Sequence, residues 1–362
     1  MRIAVIRPDE LGPAEIAAWR SMQQASPLLA NPFLSPEFAV AVGRFRPEAR
    51  VAVLTEGQTV TGFFAFERRG LGLGVPIGGW LSGCQGLVHT PGAEWDPREL
   101  LRECDLAAWQ FDNLIAGQQP LKRYEAATRP SPVIDLADGF EAYYAKLWVK
   151  SHRFCRELAR KARKLGREAG EVRIVPDSRD GGLLRTLTAW KSEQYRRTCH
   201  VDRFERPWVG DLMQALLAAR GDHVRGLLSV LYAGDQPVAA QFGLRAGNLL
   251  VGWFTGYDIR FAKYSPGIIH LMQLAEQLAK VNIHAIYMGK GAKRYTEAIK
   301  SHDVFVAEGV VTSRSILGAV HGVRGASAQW ALRTVRRRPG LHRVADRLLR
   351  RSGVSRYTYG RL

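Results

Sequence analysis

Apolar and polar positions follow two different periods along this chain, and residues 236–291 show both. Val238–Leu244 and Leu249–Phe254 are short apolar runs on either side of Ala246–Asn248, which predicts two strands joined by a hairpin turn. Apolar residues then recur at i, i+3 and i+7 between Ile268 and Leu278, the spacing of an amphipathic helix. The pattern predicts two strands, a loop and a helix, in that order.

The loop between the second predicted strand and the helix is basic and ends in Ser265-Pro266-Gly267. Proline suits the first turn of a helix, and a glycine there lets a ligand approach the backbone closely. Free N–H groups and the helix dipole both favour anions at a helix N-terminus. We therefore expect a phosphorylated ligand at this loop, although one such loop is a weak motif by itself.

Similar patterns before and after this segment predict an α/β (α+β) fold in two units. We place the units at residues 1–135 and 136–312, followed by a tail at 313–362, with Arg129–Pro132 at the crossover. The other predicted strands are Ile3–Ile6, Arg50–Leu54, Val60–Phe66, Phe111–Ile115, Val224–Tyr232, Ile283–Met288 and Val304–Val311. The other predicted helices are Ala14–Gln24, Arg98–Trp109, Phe140–Leu165, Leu183–Arg196 and Trp208–Arg220.

The composition is that of a folded protein, with 362 residues, of which 46% are hydrophobic and 24% charged. No apolar run approaches the roughly 18 residues that span a bilayer. The run Ile3–Ile6 is too short for the core of a signal peptide, so we expect a cytoplasmic protein. The four cysteines form no C-x-x-C and the histidines show no ligand spacing, so we predict neither a disulfide framework nor a metal site.

The net charge of +18 is concentrated in two blocks. Nine basic residues lie between Lys146 and Arg167, and eleven arginines against one acid lie between Arg324 and Arg361, where a basic amphipathic helix is predicted. Blocks of this kind indicate an anionic partner, although either block could simply be a solvated face. The candidates are coenzyme phosphates, an acidic polysaccharide, an anionic membrane surface, a cyclic dinucleotide and nucleic acid, which fits less well.

Three segments of the chain carry a resemblance to a known family. PVAAQFGLR, GYDIRFAKYSPG and YMGKGAKRY resemble GNAT-type acetyltransferases associated with bacterial cellulose and exopolysaccharide synthesis, whose fold is shared with FemAB-like aminoacyl transferases. The resemblance runs from Asn31 to about Gly309. It implies two tandem GNAT-like mixed-sheet domains with flanking helices, an acyl-CoA donor and an amino or hydroxyl acceptor on a sugar. It also implies a ligand loop at the glycine-rich Leu71–Gly92, for which a closely packed strand and turn is the alternative.

For a donor such as acetyl-CoA, we predict that phosphates bind at the N-terminus of the helix that starts near Gly267, with help from the basic loop. The Gly-x-Gly turn at 289–291 completes this prediction. The predicted donor-binding residues are Arg260, Lys263, Ser265, Gly267, Ile268, Gly289, Lys290 and Gly291.

Acyl transfer also needs a polarised thioester carbonyl, a deprotonated amine and a protonated leaving thiolate. We expect backbone N–H groups of Leu249–Phe254 to polarise the carbonyl, and Tyr264 or Tyr295 to protonate the thiolate. Tyr287 stands where relatives typically carry an acid, so Asp258 is the remaining candidate base. An aspartate in this position also often caps the loop that follows it.

Three functions are compatible with the sequence. The first is an acyl-CoA-dependent N-acyltransferase acting on an amino sugar of an exopolysaccharide, holdfast-type or capsule-type polymer, or on its precursor. The second is an aminoacyl-tRNA-dependent transferase, in which the basic stretch Lys146–Arg167 contacts RNA phosphates. The third is a non-catalytic GNAT-like module that senses a cyclic dinucleotide through its tail. We favour the first, at the inner face of the membrane if the tail binds lipid.

Overall fold

The computed structural model describes residues 1–221, 223–291 and 294–322. These residues form two compact units, the first made of residues 1–129 with 305–322 and the second of residues 130–304. The sequence-based limits at 135 and 312 follow chain order alone, whereas here the chain returns to the first unit at Phe305. Most of the predicted basic tail, from residue 323 onward, lies outside the described residues.

Strands and short helices alternate through the first unit. Its elements, in chain order, are β1 (Arg2–Ile6), α1 (Pro13–Gln24), α2 (Pro36–Gly43), β2 (Ala49–Glu56), β3 (Thr59–Arg69), β4 (Leu73–Pro76), β5 (Val88–His89), α3 (Pro97–Glu103), β6 (Ala108–Ile115) and β7 (Glu125–Asp135), which leads into the second unit. The helices begin where proline fixes the first turn, and two of them have a side-chain cap. Ser35 accepts a hydrogen bond from the N–H of Phe38, and Asp96 accepts from the N–H groups of Arg98 and Glu99.

The second unit holds longer helices and a second set of strands. Its elements, in chain order, are α4 (Phe140–Ala169), β8 (Val172–Ser178), α5 (Gly181–Arg197), α6 (Pro207–Ala218), β9 (Val224–Ala233), β10 (Gln236–Ala246), β11 (Leu249–Tyr257), α7 (Pro266–Ala279), β12 (Ala285–Tyr287), α8 (Arg294–Ile299) and β13 (His302–Thr312), which leads back to the first unit. Helix α4 is interrupted at Ser151, whose φ of −146° and ψ of 43° are not helical.

Both units are built on mixed sheets, as the α/β fold class predicts. In the first unit the strand order is β1-β2-β3-β4-β6-β13, with β5 beside β3, and the β4–β6 pair is parallel. In the second unit the order is β7-β12-β11-β10-β9-β8, and the β11–β12 pair is parallel. The other strand pairs named here are antiparallel, so each unit has a parallel pair inside a mainly antiparallel sheet.

Helix α7 is the central core helix of the second unit. Leu274 and Ala275 are fully buried in a cluster with Leu250, Ile286 and other residues of the sheet and of α4. A second cluster joins Ile269 of α7 to Leu165 of α4 and to the strands β9 and β10. Burying a leucine of this kind stabilises the fold by about 1.5–3 kcal/mol, so the first turn of α7 is held by its own core packing.

The observed elements differ from the sequence-based prediction at several points: α2, β7 and α8, for example, were not predicted. The predicted helix Arg98–Trp109 ends at Glu103, because Ala108 and Trp109 already belong to strand β6. Strand β8, which was not predicted, is an edge strand with only one buried position, so its sequence lacks an apolar run. The predicted helix at Phe140 extends past Leu165 to Ala169.

In the described part of the chain, every helix is too short or too polar to cross a membrane.

Because His270 is buried, we expect the free energy of unfolding to depend on pH. It is fully buried on α7 with its Nε2 atom 2.9 Å from Ser229 Oγ on β9, and burial lowers its pKa to about 4. Between pH 6.5 and pH 4 the unfolded chain binds more protons than the folded one, so the free energy of unfolding falls as the pH falls. We expect a loss of about 3 kcal/mol between pH 7 and pH 4.

Urea unfolding at a series of pH values measures this loss. The variant His270→Gln keeps a polar side chain toward Ser229 but cannot titrate, so its stability should vary less over the same window. An unchanged pH profile in that variant would assign the dependence to other groups.

Candidate functional site

Strands β11 and β12 are paired for only three residues and then separate. Leu249, Leu250 and Val251 pair with Ala285, Ile286 and Tyr287. Beyond this point β11 stays with β10 as far as Tyr257. The chain after β12 stays with β7 instead.

Two main-chain hydrogen bonds hold the chain after β12 to β7. The N–H of Met288 donates to Pro132 O and the N–H of Gly291 donates to Pro130 O, both at 2.9 Å. In the described residues, the strand pairing of Gly252–Tyr257 is with β10 alone. A strand edge of this kind offers N–H and C=O groups to an extended ligand.

The strand separation limits which backbone groups could polarise a carbonyl. The prediction covered Leu249–Phe254, but Leu249–Val251 lie in the paired part of β11. Only Gly252, Trp253 and Phe254 of that run lie beyond the last pair. The predicted role is therefore confined to these three residues.

Helix α7 begins directly beside the open part of β11. Ser265 precedes it in the left-handed conformation, with φ 58° and ψ 51°, and its carbonyl accepts hydrogen bonds from the N–H groups of Ile268 and Ile269. Because Pro266 has no N–H, Gly267 is the first donor of the helix, and its N–H has no protein partner among the described residues. The N–H of Gly267 is therefore available to a ligand, whereas the N–H of Ile268 is already occupied, and the role of both residues in donor binding remains a prediction.

Gly267 has room for a small side chain. A Cβ atom there would lie 3.8 Å from Thr255 Cγ2 and 3.8 Å from Tyr257 Cδ1, which are ordinary van der Waals distances. The contacts show that the first turn of α7 lies against β11 beyond its separation from β12. They also show that glycine is not required here by sterics.

Helix α4 places a lysine beside the N-terminus of α7. Lys161 Nζ donates to Ser265 Oγ at 3.0 Å, and its side chain is partly buried. Lys263 Nζ lies 3.2 Å from Glu168 Oε2, and Tyr264 donates its hydroxyl hydrogen bond to the same carboxylate. The hydrogen bonds from Tyr264 and then Lys263 lower the pKa of Glu168 to about 2, so this carboxylate stays charged. Neither Lys161 nor Glu168 was predicted, because they lie about a hundred residues before the loop.

The carboxylate of Asp258 accepts hydrogen bonds from a residue of its own loop. Its carboxylate accepts from the backbone N–H of Arg260 at 2.9 Å and from the Arg260 guanidinium at 2.6 Å. The side-chain hydrogen bond from Arg260 is the main reason that the pKa of Asp258 is lowered. The structure thus gives Asp258 the capping role, and a carboxylate with occupied oxygens and a low pKa is a poor base.

Two other predicted groups have structural partners as well. Tyr264 is buried in the cluster between α4 and β9–β10, and Tyr295 of α8 packs against the core cluster of α7. Their role as proton donors to the thiolate remains a prediction. Arg260, the predicted phosphate ligand, is largely exposed while it pairs with Asp258.

The Gly-x-Gly turn follows β12. Gly289 has φ 82° and Gly291 has φ 110°, conformations that favour glycine, and a Cβ at either would meet no atom of the described residues within 4 Å. Lys290 lies between them and is partly buried. The turn therefore follows directly on the chain that leads away from β11, and its role in donor binding remains a prediction.

The first unit contains a similar strand separation that its own chain closes. Strands β4 and β6 pair as parallel neighbours only at Leu73 and Gly74. Gln85 then takes the place beside β6: its carbonyl accepts from the N–H of Ile115, and its side-chain Oε1 accepts from the N–H groups of Asp112 and Asn113. The glycine-rich Leu71–Gly92 is thus a closely packed strand and turn.

No group of three or more histidine, cysteine, aspartate or glutamate side chains in the described ranges is arranged to hold a metal ion.

Comparisons with known proteins agree with this architecture. Residues 152–297 match the acetyltransferase (GNAT) domain family. No curated protein sequence is significantly similar to the chain. Among solved structures it is similar to FemX, with 11% identity and a TM-score of 0.56 over 86% of this chain and 96% of that chain.

Two further structures show comparable similarity. One is the C-terminal domain of a putative lysylphosphatidylglycerol synthetase from Agrobacterium fabrum, with 9% identity and a TM-score of 0.51 over 86% of this chain and 96% of that chain. The other is a protein of unknown function from Bacteroides thetaiotaomicron, with 10% identity and a TM-score of 0.51 over 85% of this chain and 100% of that chain. At these identities the likeness shows the fold. The family match adds that residues 152–297 are similar to the acetyltransferase (GNAT) domain.

Gly267→Asp should abolish binding of a phosphorylated donor without harming the fold. The carboxylate would lie where the donor's phosphates should lie, and we expect the affinity for CoA to fall by roughly a hundredfold or more. An acidic residue in the first turn of a helix stabilises the helix by about 0.3–1 kcal/mol, so thermal stability should not fall. Calorimetric titration with CoA and thermal unfolding measure the two effects.

Gly267→Ala is the matched control. Its Cβ meets atoms only at van der Waals distance, so it should keep CoA binding and be about 0.5–1 kcal/mol more stable than the wild type. Equal CoA affinity in the Asp and Ala variants would place the phosphates elsewhere.

Asp258→Asn tests the capping role against the role of base. Asparagine can still cap the loop, so we expect a loss of roughly 1 kcal/mol or less and a kcat within about threefold of the wild type. Asp180→Asn is the control, because Asp180 caps α5 in the same way by accepting from the N–H of Gly182. A fall in kcat of roughly a hundredfold at position 258 alone would instead assign general-base catalysis to Asp258.

Proposed function

We propose that this protein transfers an acetyl group from acetyl-CoA to the amino group of a sugar in an exopolysaccharide or its precursor. The observation that carries the proposal is the open edge of β11 beside the first turn of α7, within residues that match a GNAT domain. A GNAT domain implies an acyl-CoA donor. The resemblance of the three sequence segments described above supports the sugar acceptor.

The donor would bind in two parts. Its phosphates would lie at the N–H of Gly267, next to the ammonium group of Lys161, since a helix N-terminus with adjacent cations favours anions. Its acyl arm, which carries amide groups, would lie along the open edge of β11 and pair with the main chain there. In this arrangement the thioester would lie near Gly252, where strands β11 and β12 separate.

The reaction is an attack by the sugar amine on the thioester carbonyl. Backbone N–H groups near Gly252 would stabilise the charge that develops on the carbonyl oxygen. The amine must lose a proton and the thiolate must gain one. Tyr264 and Tyr295 remain the predicted proton donors to the thiolate. Asp258, the predicted base, is occupied by Arg260, so the group that deprotonates the amine is left open until the Asp258→Asn variant is measured.

The experiment is acetyl transfer from acetyl-CoA to amino-sugar acceptors, followed by release of the CoA thiol and by the mass of the product. Glucosamine oligomers are the acceptors, and fully N-acetylated oligomers of the same length are the control. Thiol release that depends on the free amine supports the proposal. A folded protein that does not bind acetyl-CoA would exclude it.

A second function is favoured by one feature of α4. Arg153, Arg156, Arg163 and Arg167 form an exposed row at helical spacing, and none has a hydrogen bond or an ion pair among the described residues. Such a row could contact RNA phosphates, as an aminoacyl-tRNA-dependent transferase requires. Specific tRNA binding whose affinity falls steeply with salt, in a protein that does not bind CoA, would favour this function.

A further inference from the structure

Gln241 is a buried amide on the face of the sheet that α7 covers. Its side chain is 5% exposed, and its strand neighbours across β10 are Ser229 on β9 and Thr255 on β11. Ser229 Oγ lies 2.9 Å from Nε2 of His270 on α7, which places all three side chains under that helix. Gln241 is therefore part of a polar layer between the sheet and α7.

Only one end of the Gln241 amide has a partner. Thr255 Oγ1 donates to Gln241 Oε1 at 3.5 Å, whereas Nε2 has no hydrogen-bond partner among the described residues. This nitrogen is not one of the fully buried side-chain atoms that lack a partner, so it retains contact with solvent and a ligand can reach it. An acceptor that arrives with a ligand would satisfy this nitrogen.

The contacts of Gly252 show that Nε2 of Gln241 lies where strands β11 and β12 separate. A Cβ atom on Gly252 would lie 2.8 Å from Gln241 Nε2 and 3.5 Å from the carbonyl oxygen of Tyr287. Gly252 is the first residue of β11 beyond the pairing with β12, and Tyr287 is the last paired residue of β12. The amide thus lies where the open edge of β11 begins, and any larger residue at 252 would compete with it for space.

We propose that Gln241 is a catalytic residue whose Nε2–H binds the carbonyl oxygen of the donor's acyl group. The inference rests on the proposed function. It adds a side-chain donor to the backbone N–H groups near Gly252, at the inner end of the open edge.

The chemical step balances without a further reactant. The lone pair of the acceptor amine attacks the carbonyl carbon, the C–N bond forms, and the carbonyl electrons move to the oxygen that Nε2–H binds. The oxyanion then collapses, the C–S bond breaks, and the nitrogen loses a proton while the CoA thiolate gains one. The products are an amide and CoA thiol. Because the oxygen carries most charge in the transition state, the donor acts there more strongly than on the bound substrate.

Two variants remove the donor in different ways. Gln241→Met keeps the volume and removes the N–H groups, so we expect kcat to fall by roughly a hundredfold while the KM for acetyl-CoA changes by less than about threefold. Gly252→Ala leaves Gln241 in the chain but displaces its amide, which is the flexible end of a side chain. We expect a fall in kcat of roughly tenfold for this variant.

The double variant gives the sharpest result. If both changes act through the same amide, Gly252→Ala should have no further effect on kcat once Gln241 is Met. Gln214→Met is the matched control, because Gln214 lies on α6 and its amide donates to Gly181 O at the start of α5. It should keep the wild-type kcat.

The outcomes separate the inference from the proposed function. A wild type that transfers acetyl groups and a folded Gln241→Met variant within threefold of it overturn the role of Gln241 alone. Additive losses in the double variant overturn it as well. A folded wild type that transfers no acetyl group overturns the proposed function and this inference with it. If Gln241→Met fails to fold, Gly252→Ala decides, and a kcat equal to that of the wild type overturns the inference.

Discussion

The candidate site depends on a division of hydrogen-bond partners between two parallel strands. After Val251, strand β11 continues along β10, while the chain after Tyr287 continues along β7. Neither strand can then satisfy the other, and the edge of β11 is left available to a ligand. Backbone groups on that side of Gly252–Tyr257 need partners other than a neighbouring strand, such as a side chain, water or a ligand.

The first turn of helix α7 lies beside that edge, so the candidate site has two ends. Its core residues, such as Leu274, fix the helix on the sheet, so its first turn is held over Thr255 and Tyr257. At one end lie the free N–H of Gly267 and the ammonium group of Lys161, where the proposed donor would place its phosphates. At the other end, where the strands separate, lie the amide of Gln241 and the backbone near Gly252. A ligand with phosphates at one end and a reactive carbonyl at the other matches this order.

The local parts of this arrangement could be predicted from the sequence. The hairpin at Gly247, the helix after Pro266 and the position of Gly267 in its first turn all follow from spacing and turn chemistry over a few residues. The contacts of Lys161 with Ser265 and of Glu168 with Tyr264 could not, because they join elements about a hundred residues apart. Gln241 shows the same limit: within an apolar strand it resembles an ordinary core position, and only the register with Gly252 places its amide. Asp258 shows the converse, since its carboxylate suggested a base and its partner Arg260 is only two residues away.

The first unit contains a comparable strand separation that is filled by a residue of the chain itself. Its own parallel pair, β4 and β6, separates after two residues, yet the N–H groups of Asp112, Asn113 and Ile115 all donate to Gln85. One buried glutamine thus supplies, from within the chain, the acceptors that the edge requires. In the second unit the glutamine at 241 is turned the other way, with a donor rather than an acceptor at the separation. An internal acceptor closes the first strand separation, whereas the second has a side-chain donor without a protein acceptor. If the proposal for Gln241 is correct, the chemistry of one side chain makes the two separations differ in function.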